Sequence, residues 1–202
     1  MQKRKCAFIG VFIICCFLNL YPLCETAAAF VDVDHIDLKQ GVSYERYLFG
    51  GNGIQIEKMF ARAKVLRLSD SLRSAVQRID FPVIFTTYGS ITCPDCAIAV
   101  PFLELLKNAN PQVETLYFTR DNKAREMLLE RTGLNRIPTI FITDRSGKIL
   151  SEHYVEHPRI VYDLLAKSKT EDEKRAHIDE FRAGKYDDDV QSDLSELIDS
   201  IF

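Results

Sequence analysis

Between residues 69 and 168 the chain alternates continuous apolar runs with runs whose apolar residues recur every three or four positions, a pattern that predicts strands and helices in turn. Ser69 stands as an N-cap before DSLRSAVQRI, where Leu72, Val76 and Ile79 form one apolar stripe. FPVIFTTYG is apolar and β-branched almost throughout and predicts a buried strand, with Pro82 at its start where a missing N–H is tolerated. SITCPDCAIAVP leads from it into a helix through about Asn108, carrying Ala97, Val100, Leu103, Leu105 and Leu106. QVETLYFTR predicts a second strand, and DNKAREMLLERTG a helix with Asp121 as N-cap and Gly133 just past its end. IPTIFITD, RSG and KILSEHYV predict a third strand, a turn and a fourth strand, and HPRIVYDLLAKS a helix with Pro158 near its first turn. The order is a parallel βαβ half followed by an antiparallel hairpin half. Strands this apolar need cover on both faces, so the fold class is α/β, a central mixed sheet flanked by helices.

The flanks are less periodic. Residues 30–53 show no sustained period and end in a glycine cluster, which reads as a mostly irregular arm with at most a strand or turn in it. Ile54, Ile56, Met59, Phe60 and Ala63 then predict a short helix. The organisation read from these patterns is an arm and helix over 30–64, the α/β domain over 65–169 and a helical C-terminal extension over 170–202. The extension divides at Gly184 and puts Val190, Leu194, Leu197, Ile198 and Ile201 on one face, which packs against the domain or a partner. The plainer reading is a solvated acidic helix covering spare apolar surface.

Residues 1–29 stand apart. Lys3, Arg4 and Lys5 precede an apolar run from Cys6 to Leu23, and Ala27 and Ala29 lie just before Phe30, the layout of a signal peptide cut ahead of Phe30. The alternative is an uncleaved membrane anchor, since the run nears the lower length for spanning a bilayer; Asn19 and Pro22 favour cleavage. Tyr21, Pro22 and Leu23 are not the small residues expected before a lipidated Cys24. An extracytoplasmic location, periplasmic or secreted, is therefore expected.

Four of the six cysteines, Cys6, Cys15, Cys16 and Cys24, lie in this leader, which leaves Cys93 and Cys96. A pair two residues apart closes too small a loop to restrain an unfolded chain much, so the pair calls for chemistry rather than stabilisation. The net charge of the whole chain is −3, and residues 171–202 alone hold eleven acids against four bases. That balance argues against nucleic acid as the main partner. Two thiolates supply half of a zinc shell, but there is no second C-x-x-C, and His35, His153, His157 and His177 show no ligand spacing, so no metal is expected. His153 and His157 read as surface polar residues, Tyr88, Phe102 and Tyr117 as core, and Arg120 and Arg136 as solvent-exposed charge at strand ends.

Cys93 falls where a buried strand meets a helix, and free N–H groups and the helix dipole there favour a thiolate. It is the expected attacking sulfur. Cys96, one turn inside the helix and more buried, is placed to resolve the mixed disulfide. Asp95 between them opposes formation of the Cys93 thiolate while suiting the helix N-terminus, which destabilises the reduced form and favours a reductant.

Strand, C-x-x-C at a helix start, Pro101 five residues after Cys96, and Ile137-Pro138-Thr139 before the next strand resemble the thioredoxin superfamily over roughly residues 65–168. The resemblance, sharpest for thioredoxin-like proteins with a C-P-D-C site, implies a thioredoxin fold with an N-terminal helical extension and a C-terminal helical tail. It implies a cis peptide at Pro138 facing the sulfurs, with the Ile137 and Pro138 backbone pairing with substrate chain. It also implies a helix kink at Pro101 and active-site tuning by Pro94 and Asp95; Ile137 points towards reducing members. The implied activity is thiol-disulfide exchange on disulfide-containing substrate proteins, with re-reduction by a separate thiol electron donor, membrane-borne in one version, and no cofactor beyond the Cys93–Cys96 disulfide. The alternatives are an oxidising or isomerising folding factor and a non-catalytic interaction module. The chain departs from thioredoxin in having Thr92 for the tryptophan before the first cysteine and Thr87 for the buried aspartate of the preceding strand. Another group or water must then serve the second cysteine.

Overall fold

The central strand, β1 (Val83–Tyr88), is buried along its whole length, as its unbroken apolar and β-branched run requires. It pairs in parallel with β2 (Val113–Phe118) and antiparallel with β3 (Thr139–Thr143), which pairs antiparallel with β4 (Ile149–Val155), giving the order β2-β1-β3-β4. This is the thioredoxin fold in its mixed-sheet form. The computed structural model describes residues 35–119 and 135–202, with Glu126 and Gly133 in addition. The leader over 1–29, Arg120, and the helix expected over 121–133 lie outside the described residues, Glu126 and Gly133 excepted.

Alternation along the strands sorts the core into two faces. Val83 and Phe85 of β1, Val113 and Tyr117 of β2, and Ile140 and Ile142 of β3 join the large cluster with the helices. Tyr88, Phe118 and Phe141 point the other way and meet Ile36 and Leu38. Phe102, like Tyr88 and Tyr117, is buried as expected.

Helix α2 (Gly53–Val65) opens on a capping box in which Asn52 and Gln55 satisfy each other's backbone N–H groups. Helix α3 (Asp70–Gln77) opens on the Ser69 cap and buries Leu72, Ala75 and Val76. Helix α4 (Cys96–Ala109) is apolar nearly all round, with Pro101 in its interior and buried. At the far ends of α3 and α4 the Asn110 amide donates to the Val76 and Ile79 carbonyls at 2.7 and 2.9 Å, satisfying acceptors that a helix end leaves open. Helix α5 (Arg159–Lys167) follows β4.

The arm is more ordered than its sequence suggests. Val42 forms a two-bond bridge with Tyr117 on the outer edge of β2, and Ser43 caps a short helix, α1 (Tyr44–Leu48), that buries Tyr47 and Leu48. Five residues are too few for a periodic signal, which is why the pattern reads as irregular. The hairpin turn between β3 and β4 closes on Gly147 at φ 94°, and Ile36 donates its N–H to the Gly147 carbonyl at 2.8 Å. A β-carbon at Gly147 would sit 2.0 Å from the Ile36 carbonyl oxygen, so the arm's path depends on this glycine.

The tail forms two helices, α6 (Glu171–Arg182) and α7 (Asp187–Asp199), separated by Gly184 at φ 87°. It is part of the core rather than a cover over it: Phe181, Val190, Leu194 and Ile198 are 0% exposed and belong to the same cluster as β1 and α4. Each such side chain contributes about 1.5–3 kcal/mol by burial. The Gln191 side chain also accepts from the Ser69 N–H at 2.6 Å, at the very start of α3. Most of the acidic residues are exposed, although Asp187 and Asp193 turn inward to Arg62 and Arg159, and that predominance of exposed charge makes the segment read as a solvated helix.

Candidate active site at Cys93 and Cys96

After β1 the chain turns at Gly89 and closes a tight loop in which Cys93 N–H donates to the Ser90 carbonyl at 3.0 Å. The first helical hydrogen bond then runs from Ala97 N–H to the Cys93 carbonyl at 3.3 Å. Cys96 is the first residue of α4 rather than a residue one turn inside it, and Asp95 occupies the N-cap without capping through its side chain. Both cysteines are free thiols, Cys93 partly exposed and Cys96 fully buried.

The two sulfurs are electrostatically unlike. The Cys93 thiol is lowered to about 7, first by a hydrogen bond from Cys96 and further by backbone N–H groups of Cys96 and Asp95, against opposing contributions from burial and the Asp95 charge. The repulsion expected from Asp95 is present, but the donors outweigh it. Burial, and then the Cys93 sulfur, push Cys96 well above the ordinary thiol range. An anion at Cys93 and a thiol at Cys96 is the arrangement that attack followed by resolution requires.

The approach to β3 faces this pair. The Ile137–Pro138 peptide is cis, and the Cys93 sulfur lies 3.6 Å from the Ile137 carbonyl oxygen. Pro94 is exposed at the rim and Pro138 is buried. A cleft of about 310 Å³ runs between the cysteine turn and Asn135, Arg136 and Ile137. A second, of about 510 Å³, lies on the other side of Cys93 against Lys58 and Arg62 of α2.

Asp95 is not the bare charge the sequence suggests. It is 5% exposed, and Arg182, at the end of α6, donates to both its oxygens at 2.7 and 3.1 Å. His157 Nε2 lies 3.8 Å from Asp95, and His157 Nδ1 lies 3.8 Å from Glu156, whose carboxylate pairs with Arg136 at 3.0 Å. His157 is not a surface residue as expected: it is buried between Phe181 and Tyr162, and burial lowers its pKa from the ordinary imidazole value against the pull of Glu156 and Asp95. Asp95, Glu156 and His157 come close enough to share a cation, but Arg182 and Arg136 already hold the two carboxylates. His153 is exposed, and Arg136 is exposed as expected.

Sequence reasoning missed Arg182, His157, Glu156 and Tyr47. Arg182 sits 87 residues from Asp95 in a segment whose dominant signal is negative charge, so no spacing announced the pair. His157 gave a weak signal in its neighbour Pro158, also buried, because a helix start wedged against the sheet buries what precedes it.

A family described simply as thioredoxin matches residues 41–174. Among solved structures, a protein of unknown function from Pseudomonas aeruginosa superposes with a TM-score of 0.67 at 20% identity, covering 87% of this chain and 99% of its own. An HIV epitope-scaffold superposes with a TM-score of 0.65 at 20% identity, covering 80% of this chain and 94% of its own. At these identities the likeness is one of fold. No curated protein matches the chain.

Proposed function

The chain belongs to the thioredoxin family, and from that premise we propose that it is an exported thiol-disulfide oxidoreductase that reduces substrate protein disulfides through its C-P-D-C segment. The observation that carries the reading is the inequality of the two sulfurs. Cys93 is partly exposed beside the cis proline with its thiol lowered to about 7, and Cys96 is buried behind it and raised. The Cys93 thiolate attacks one sulfur of the substrate disulfide and expels the other as a thiol. Cys96 then attacks the Cys93 sulfur and expels the second substrate thiol. Two electrons pass to the substrate and the chain leaves as the Cys93–Cys96 disulfide. The backbone at Ile137 and Pro138 pairs with the substrate chain along the cleft. No metal or organic cofactor enters the reaction.

The reducing direction is favoured by Cys93 itself. A nucleophile near 7 matches a thioredoxin-type site at about 7 rather than a strong oxidant at about 3.5. Asp95 adds to it by opposing the thiolate. Removal of residues 1–29 would leave the protein in an extracytoplasmic compartment, where a dithiol donor, membrane-borne in this proposal, regenerates the reduced form.

The test is the redox potential of the pair in glutathione buffers, read by alkylation and mass. A value near about −270 mV, with Cys96→Ser trapping substrate proteins as mixed disulfides, is the expected result. A value near about −120 mV would make the protein a disulfide donor instead. A pair that never exchanges would make it an interaction module.

A further inference from the structure

Cys96 is the harder sulfur to use. It is fully buried, and it must become a thiolate before it can attack Cys93, which places negative charge where water cannot stabilise it. Thr87, which stands in β1 where the resemblance puts thioredoxin's buried acid, turns its methyl towards the space beside Gly89. Its own hydroxyl is buried without a hydrogen-bond partner among the described residues. Thr87 therefore offers Cys96 nothing.

Tyr47 reaches the same space from α1. The residue is 1% exposed, and its ring stacks on Tyr117 at 4.9 Å, which fixes where the hydroxyl points. That hydroxyl makes no hydrogen bond of standard geometry among the described residues, and the side chain with which it interacts as a hydrogen-bonding neighbour is Cys96. A β-carbon at Gly89 would lie 3.3 Å from the Cys96 sulfur and 3.5 Å from the Tyr47 hydroxyl oxygen, so the missing side chain of Gly89 leaves a gap bordered by both. From another side the Ser90 N–H already donates to the Cys96 sulfur at 3.5 Å. Burial, followed by negative charge on Cys96 and Cys93, holds the phenol far above its ordinary range, so Tyr47 donates a proton to a hydrogen bond without losing it.

We propose that the Tyr47 hydroxyl, with the Ser90 N–H, is the donor pair that stabilises the Cys96 thiolate when it resolves the mixed disulfide. The inference rests on the dithiol-exchange reading above and adds to it the group that serves the second cysteine. In the step itself, Cys96 gives up its proton and its sulfur bonds to the Cys93 sulfur. The bond between Cys93 and the substrate sulfur breaks, its electron pair leaves on the substrate sulfur, and that sulfur takes up the proton. Tyr47 keeps its own proton throughout. A β-carbon at Gly89 would occupy the space that hydroxyl and sulfur border and would press on the sulfur at 3.3 Å.

The test is the reaction of the reduced full chain with a chromogenic aromatic disulfide, which releases one coloured thiolate when Cys93 attacks and a second when Cys96 resolves. Tyr47→Phe is expected to slow the second release about tenfold or more, as removal of a hydrogen bond to a charged group does, and to leave the first release and the thermal midpoint unchanged. Gly89→Ala, which keeps the hydroxyl but fills the space it shares with the sulfur, is expected to give the same split and serves if Tyr47→Phe does not fold. An unchanged second release, or equal slowing of both, overturns the proposal. A parent chain that releases no coloured thiolate overturns the exchange reading itself.

Discussion

The arm before α2 and the two helices after α5 lie at opposite ends of the described chain, and each delivers one side chain to the cysteine turn. The arm brings Tyr47, an uncharged phenol, to the space beside the buried sulfur, and the tail brings Arg182, a cation, to the carboxylate between the cysteines. The sheet and α4 position the sulfurs, while the flanks set the electrostatics around each. The two flanks differ in how they are held. The arm is pinned by two backbone bridges, a glycine turn, the stack of Tyr47 on Tyr117 and three scattered buried side chains, Ile36, Tyr47 and Leu48. The tail is held by a continuous buried face from Phe181 to Ile198. The tail therefore carries stability as well as tuning, and the hydroxyl of Tyr47 carries tuning alone.

The largest expected effect follows from the tail's burial. Leu194→Ala removes a fully buried side chain between α7 and the core, and is expected to cost about 2–5 kcal/mol in chemical denaturation. A loss below about 1 kcal/mol would make the tail an appendage and dissolve the comparison.

Next is the ion pair. Arg182→Ala leaves the Asp95 carboxylate buried beside Cys93 without its counter-charge, so the variant loses stability and the Cys93 thiolate becomes harder to form. Asp95→Asn in the same chain restores most of both. The double-mutant cycle is expected to return a coupling of about 1–3 kcal/mol, with Cys93 alkylation at neutral pH slowed severalfold in Arg182→Ala alone. A coupling near zero would mean that Arg182 is a bystander and that only the arm tunes the site.

The pH profile of alkylation is a gentler probe of the same electrostatics. With Cys93 lowered to about 7, the thiolate fraction, and so the rate, falls about tenfold per pH unit below that value and levels off above it. Cys96 is raised and buried, so one equivalent reacts at neutral pH. A midpoint near the ordinary thiol value of about 8.5 would show that the Cys96 and backbone donors do not outweigh burial and Asp95.

The sheet was legible because long apolar runs and periodic helices carry strong signals. The strand from FPVIFTTYG, the Ser69 cap and the hairpin across RSG all stand where the pattern put them. The sulfurs were legible through their C-x-x-C spacing, and the cis proline only through the family resemblance. The groups around them were not, because they come from segments whose local pattern says something else. Tyr47 lies in a helix too short to be periodic, and Arg182 in a helix whose composition announces solvent. His157 follows Glu156 at φ 55°, a backbone turn that drives the ring inward and that no residue preference would suggest. Long-range pairs of this kind are set by tertiary packing, which a single sequence does not display.

The smallest expected effect separates burial from charge as the tail's attachment. Arg159, at the start of α5, donates to Asp193 at 2.9 Å and pairs with Glu196, both on α7, but its side chain is 66% exposed. An exposed pair holds little in water, so Arg159→Ala is expected to cost no more than about 1 kcal/mol even though it breaks two ion pairs at once. Raising ionic strength to about 1 M, where screening acts over about 3 Å, should likewise leave the parent's thermal midpoint nearly unchanged. A loss from Arg159→Ala matching that from Leu194→Ala would invert the argument. The acidic tail would then be held by its charges, and Arg182 would be one more clamp of that kind rather than a tuning group carried by a packed helix.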